Sequence, residues 1–150
     1  MKAKLTIFFF LTGFLLTGCK KYDISQIEGK WRVIIDEEIY YERWISGNSM
    51  IWYNSEFGIQ LWKFDFDGNV LSYSEYDREE GLLLDSNLEE TITSLTNKNI
   101  IIDVSTKPSG ISYSLKRIST DKFNPDFSTL DLHEVYEEIK SRQYEFYNIK

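Results

Sequence analysis

The chain has one cysteine, one histidine and two prolines among its 150 residues. A lone cysteine excludes an intramolecular disulfide and the thiolate clusters of structural zinc sites. A lone histidine, His133, leaves Ser-His-Asp or Cys-His chemistry with a single candidate base, and no Gly-x-Ser-x-Gly elbow accompanies it. It sits beside Glu134 in a stretch with helical spacing, where a solvated or capping role is expected. Zinc spacings, phosphate-cradling glycine loops and dinucleotide fingerprints are missing too. No catalytic residue, metal or cofactor is therefore expected, and the chain does not read as an enzyme. With only eight glycines, no repeat and no low-complexity tract, nothing marks a second domain. No apolar run reaches the roughly 20 residues that span a bilayer as a helix.

What is present starts at the N-terminus. Lys2 and Lys4 precede an apolar stretch, Leu5 to Leu16, 12 residues long and ended by Lys20 and Lys21. That is the build of a secretory leader rather than of a membrane span. Leu16-Thr17-Gly18-Cys19 closes it and contains the only cysteine. This segment resembles the lipobox of bacterial lipoproteins. The resemblance implies removal of residues 1–18, acylation of Cys19 by palmitate-type chains, and anchorage in the cell envelope. Three acyl chains would make attachment effectively permanent, since each buried CH₂ contributes about 0.8 kcal/mol. Lys20 is not the aspartate that retains some lipoproteins at an inner membrane, so the outer membrane is the expected location, with the periplasmic or surface side open.

Without Lys2 and Lys4 the remaining chain carries 15 basic and 24 acidic residues, a formal charge of −9. So acidic a body repels phosphate backbones, which excludes nucleic acid as an expected partner. Residues 19–28 read as a short lipid-anchored tether, and residues 29–150 as one domain of ordinary size.

From Lys30 to Ile118 the sequence is rich in Ile, Val, Tyr, Phe, Trp and Thr, broken by turn residues at the spacing of an antiparallel all-β domain. Expected strands are Trp31 to Ile39, Tyr40 to Ile45, Met50 to Tyr53, Ile59 to Phe66, Val70 to Tyr76, Glu89 to Leu95, Asn99 to Val104 and Ile111 to Ile118. In Ile59 to Phe66, Trp62, Phe64 and Phe66 take one face and Leu61, Lys63 and Asp65 the other. Asp67-Gly68, Ser46-Gly47-Asn48, Thr96 to Asn99 and Lys107 to Gly110 are the turn signals. About eight strands in a row suit a closed meander β-barrel. After Asn124-Pro125, Leu132, Val135, Tyr136 and Ile139 fall at helical spacing, capped by Ser128, Thr129 or Asp131. The opposite face, with Glu134, Glu137, Glu138, Lys140 and Arg142, reads as solvated.

Gly29-Lys30-Trp31 at the start of the first strand resembles the Gly-x-Trp signature of lipocalin-like proteins. The Trp62 to Gly68 strand and turn, the late Tyr113, Leu115, Arg117 strand and the final helix follow in matching order. The likeness is to small lipocalin-like bacterial lipoproteins. It implies an eight-stranded barrel closed at one end by Gly29, Trp31 and Arg117, with the guanidinium across the indole. Arg117 shares the alternation phase of Tyr113 and Leu115, which points it inward. An open opposite end implies a cavity for a small hydrophobic ligand, lined by Trp62, Phe64, Tyr73, Ile102 and Tyr113. The same side chains equally suit a filled core.

Other features carry more than one reading. Tyr40, Tyr41, Arg43, Trp44 and Trp52 are residue types that dominate protein interfaces, so this segment is a candidate contact for an envelope protein partner or a carbohydrate. Leu82-Leu83-Leu84 suits a lid, an exposed patch or core. Asp65 to Asn69 lacks the glycine and glutamate positions of a calcium loop, which leaves a hairpin turn or a weak surface metal site. The carboxylate pairs Glu79-Glu80 and Glu89-Glu90 are expected to be solvated.

Overall fold

The structure, a computed structural model, describes residues 21–35, 38–104 and 110–149, with the main chain only at 85–87. Cys19, and most of the Lys107 to Gly110 turn, lie outside the described residues.

Eight antiparallel strands form one closed barrel in simple meander order, each pairing with the next and the last with the first. They are β1 (Gly29–Ile34), β2 (Tyr41–Ser46), β3 (Ser49–Asn54), β4 (Gly58–Phe66), β5 (Val70–Asp77), β6 (Leu82–Leu95), β7 (Asn99–Val104) and β8 (Ser112–Ser119). A short helix α1 (Ile24–Ile27) precedes them and a long helix α2 (Leu132–Asn148) follows. The expected all-β barrel with a C-terminal helix is the observed fold, and the architecture is lipocalin-like. The turns at 47–48, 67–69 and 96–98 define one end of the barrel, called here the base. The ends of β1 and β7 and the connections at 55–57 and 78–81 define the other, the mouth.

Alternation along the strands sorts the hydrophobic residues into two cores. Inward-facing Trp31, Val33, Ile45, Met50, Trp62, Phe64, Leu71, Tyr73, Ile92, Ile100, Ile102, Tyr113 and Leu115 fill the barrel. Outward-facing Trp44, Ile51, Tyr53 and Leu61 form a second layer under Val135 and Ile139 of α2, with Phe127 and Leu130 from the preceding loop. Leu61 therefore lies on the outward face with Lys63 and Asp65, where α2 and its lead-in cover it. Burying each of these large side chains contributes about 1.5–3 kcal/mol.

The base is closed by a specific set of contacts. Trp31 pairs with Arg117 across β1 and β8, and the guanidinium carbon sits 3.9 Å from the centre of the indole ring. Trp31 Nε1 donates to the Ile27 carbonyl at 2.7 Å. Arg117 Nη1, Nη2 and Nε donate to the carbonyls of Glu28, Gln26 and Asn97 at 2.7, 2.8 and 2.7 Å. The segment expected to be a plain tether is thus part of the domain from Asp23 onward. Asp23 caps α1 in a reciprocal capping box with Gln26, and Ile27 is fully buried.

Gly29 is where that closure admits no side chain. Its φ is +122°, and a Cβ there would meet the Ser119 carbonyl at 2.6 Å and Arg117 Nη1 at 2.8 Å. Backbone strain of this kind costs on the order of 1–3 kcal/mol before any clash is counted. Gly29→Ala is accordingly expected to lower stability by at least ~2 kcal/mol in denaturant titration. A loss below ~0.5 kcal/mol would show that the base tolerates a side chain there.

Three elements differ from expectation. β6 runs 14 residues and takes in Leu82-Leu83-Leu84, which stand 53, 56 and 46% exposed in its first turn-proximal positions rather than in a loop or core. β1 stops at Ile34 instead of continuing to Ile39. Helix α2 continues nine residues past Ile139, because Gln143 and Phe146 extend the buried stripe that a purely apolar count ends too early. Asp131 is its cap, accepting from the amides of His133 and Glu134.

Candidate functional site

The barrel interior is layered. Around Trp31 at the base the inward side chains other than Arg117 are apolar, buried or partly buried. One layer higher, the wall carries a charged pair. Arg43 of β2 donates from Nη1 and Nη2 to the two carboxylate oxygens of Glu90 of β6, at 2.6 and 3.0 Å, and both side chains are essentially without solvent contact. Tyr73 and Tyr113 add phenolic hydrogen bonds to the same carboxylate, the first at 2.7 Å. The Arg43 guanidinium also lies 4.4 Å from the Trp52 ring centre and 5.1 Å from that of Tyr113.

This arrangement sets the charge state. Burial alone would push the Glu90 carboxyl up. The Arg43 guanidinium, together with the hydrogen bonds from Arg43, Tyr113 and Tyr73, outweighs that penalty and holds it below the ordinary 4.5. Burial pushes the Tyr73 and Tyr113 phenols up, and despite the opposing charge of Arg43 they stay protonated donors. Arg43 stays charged, since Glu90 overcomes the desolvation of its guanidinium.

A pH dependence follows. The Glu90 carboxyl is held below 4.5 in the folded chain and titrates near 4.5 when unfolded. Its contribution is complete above that value and is lost as pH falls through the lower, folded-state value. Denaturant titrations between about pH 6 and pH 3 should show falling stability, with a shallower slope in Glu90→Gln. An identical slope in the two proteins would mean that Glu90 is not the carboxylate responsible.

Three buried donors in the same region have no acceptor among the described residues: Arg43 Nε, Trp52 Nε1 and Trp62 Nε1. The other two indoles are satisfied, Trp31 by Ile27 and Trp44 by Glu42. Trp52 and Trp62 face one another across β3 and β4 with ring centres 6.2 Å apart, and Trp62 meets Tyr73 edge-on at 6.2 Å. Above this layer the inward residues Tyr41, Gln60, Glu75, Leu88 and Val104 are half-buried, so solvent reaches the upper barrel from the mouth. Around the mouth stand the exposed apolar side chains Ile34, Ile35, Phe57, Ile111 and Leu82 to Leu84.

The structure therefore groups the predicted lining residues Trp62, Phe64, Tyr73, Ile102 and Tyr113 inside the barrel, all buried. Gly29, Trp31 and Arg117 meet at the base. The predicted contact segment is a correction. Tyr40 and Trp44 are buried beneath α2, Arg43 is inside the barrel, and Tyr41 and Trp52 pack on the interior cluster, so none of the five is displayed as an exposed aromatic.

Of two buried glutamates, sequence reasoning assigns one wrongly and passes over the other. Glu90 was expected to be solvated, yet it shares the inward phase of Ile92 two residues on, a signal the alternation contained. Glu42 was not singled out. It is fully buried between barrel and helix, where it accepts from Arg142 Nε and Nη2 at 2.8 Å each, from Trp44 Nε1 at 2.6 Å and from the Tyr40 hydroxyl. Arg142, read as solvated, is thus the bolt that fixes α2 to the barrel. Glu138 joins it, bonded to both Arg142 and Lys30.

Other concavities are weaker candidates. A groove of about 500 Å³ at the base, between α1 and the 96–98 turn, has its charged groups already engaged: Arg117 with carbonyls, Lys122 with Glu28. Among the described residues no group of three or more His, Cys, Asp or Glu side chains is placed to hold a metal; Asp65 lies in β4 and Asp67 to Asn69 form the β4–β5 hairpin turn. His133 is exposed in the first turn of α2. No described helix is long and apolar enough to cross a membrane.

Comparison with protein-family models, curated proteins and solved structures gives no match for this chain. Its class is consequently defined by architecture and interior: a closed eight-stranded antiparallel meander barrel, lipocalin-like in fold, with a base sealed by a Trp–Arg stack and a polar layer beneath a solvent-accessible mouth.

Proposed function

We propose that this protein is a lipid-anchored, non-catalytic carrier or receptor of the bacterial cell envelope, holding a small hydrophobic ligand in the upper half of its barrel. The observation that carries this reading is the contrast between a filled, sealed base and an upper barrel whose inward aromatics and aliphatics stay half-buried below an apolar rim. A core with no ligand to admit has no need of an apolar rim at one end only.

The anchor rests on Leu16 to Cys19 and gives the barrel an orientation. Lys21 pairs with Asp67 and the Tyr22 amide donates to the Gly68 carbonyl, so the chain enters the fold at the base. Two residues reach at most ~7 Å, which holds the base of an acylated chain against the bilayer and turns the mouth away from it. Ligand would then exchange with the aqueous side or with another protein rather than directly with the anchoring membrane. That protein partner is the second reading, favoured by the exposed rim of Leu82 to Leu84 and Ile111 rather than by Tyr40, Arg43 and Trp44, which are buried.

Two experiments test the parts separately. Cys19→Ser should move the full chain from the detergent phase to the aqueous phase in a phase-partition assay, and partitioning that is unchanged would remove the lipid anchor from the reading. For the barrel, tryptophan fluorescence of the chain from Lys20 onward, titrated with fatty-acid and sterol probes, should show saturable quenching. A flat titration with every probe would count against a carrier.

A further inference from the structure

We infer that the ligand of this barrel is a neutral, largely apolar molecule bearing a hydrogen-bond acceptor oxygen, such as a ketone, ester or ether, seated against the indole N–H groups of Trp52 and Trp62 and the Nε–H of Arg43. This rests on the carrier reading and adds to it the chemistry of the ligand's polar end.

All three unpartnered groups are donors. Arg43 and Trp62 are more than nine-tenths buried, and the Trp52 indole nitrogen is shielded although its ring is half-buried. They lie close together in the sheet: Arg43 pairs with Trp52 across β2 and β3, and Trp62 lies one position further round on β4, its ring 6.2 Å from that of Trp52. Buried donors without acceptors are costly, and three in one layer leave a site whose missing component is an acceptor. A cationic or purely donating ligand supplies none.

Charge then narrows the class. The Arg43 guanidinium is already matched by Glu90, whose two oxygens take both Nη groups. An added carboxylate would be a second negative charge in a dry layer where no unmatched cation stands among the described residues, a placement that burial penalises heavily. The groups packed around the pair, Tyr73 and Tyr113, are neutral phenols whose protons already go to Glu90. A neutral oxygen accepts from Arg43 Nε or an indole without that penalty. The hydrocarbon remainder of the ligand would run toward the mouth along Tyr41, Leu88 and Val104, which are half-buried on the same wall as Gln60 and Glu75.

The four tryptophans provide the test. In the ¹⁵N-tryptophan-labelled chain from Lys20 onward, Trp31 and Trp44 indole N–H groups are already bonded and act as internal references, whereas those of Trp52 and Trp62 are free. Titration with 2-tridecanone should shift the Trp52 or Trp62 indole proton downfield and leave the two references in place. Tridecane and tridecanoic acid at neutral pH should bind about tenfold more weakly, the factor expected for one buried hydrogen bond made or lost. Trp62→Phe with Trp52→Phe should bring the ketone's affinity down to that of the alkane.

Tridecanoic acid binding as tightly as the ketone would overturn the neutral-ligand inference. Equal affinity for ketone and alkane, with no indole displaced, would overturn the donor site while leaving an apolar carrier standing. Absence of binding by all three would overturn the carrier reading itself.

Discussion

Arg43→Met should lower the stability of the folded domain by about 3–5 kcal/mol, because it leaves the Glu90 carboxylate in the barrel without its counter-charge. Both partners are sealed from solvent, so water cannot replace the lost guanidinium. Tyr73 and Tyr113 still donate to Glu90, but two phenols do not neutralise a charge. A domain of this size has only about 5–15 kcal/mol in total, so the loss is a large part of its margin. The double variant Arg43→Met with Glu90→Leu should recover most of it, since a buried ion pair and a well-packed apolar pair often differ little in net stability. Denaturant titration of the three proteins at pH 7 measures this directly. A cost below ~1 kcal/mol for Arg43→Met, or a double variant no better than the single one, would show that the pair does not form as described.

Glu42→Leu should cost about 3 kcal/mol or more and act mainly on helix α2. The carboxylate gathers four hydrogen bonds from Arg142, Trp44 and Tyr40, so its removal orphans the Trp44 indole and the Tyr40 hydroxyl under the helix. Arg142 is partly exposed and recovers some hydration, which makes Arg142→Leu the reverse experiment: it strands the fully buried Glu42 charge and should cost as much or more. Hydrogen exchange separates this from global unfolding. Amides of 132–148 should lose protection while β6 and β7, which contribute no side chain to the helix-side cluster, keep theirs. Uniform loss across the barrel would mean that helix and barrel unfold as one unit.

Much of this architecture was legible in the sequence because it follows from period-two alternation. Trp62 with Phe64, and Tyr113 with Leu115 and Arg117, fall on the interior face that alternation assigns them. Turn chemistry at Gly47 and Gly68 fixed the hairpins. What escaped was whatever depended on the third dimension. Composition reads Glu90 and Arg142 as surface charges, and only the closing of the barrel and the docking of α2 bury their partners. Leu61, Ile51 and Trp44 point outward, and they become core only because a helix from the far end of the chain covers that wall. Tyr40 to Trp52 looked like an interface for the same reason. Its aromatics serve two cores at once, one inside the barrel and one outside, and a single run of sequence does not tell which face a distant element will cover. The mouth was hidden in a similar way, since its exposed leucines belong to a strand extension that reads locally as a loop.

A carrier function requires that the upper barrel accept an apolar molecule. Native mass spectrometry of the chain from Lys20 onward, with increasing concentrations of neutral apolar probes such as 2-tridecanone, tests this most directly. The predicted result is a saturable adduct of one probe per protein that survives transfer and weakens when Trp52 and Trp62 are both replaced by phenylalanine. Only the bare protein mass at every concentration and with every probe would contradict it.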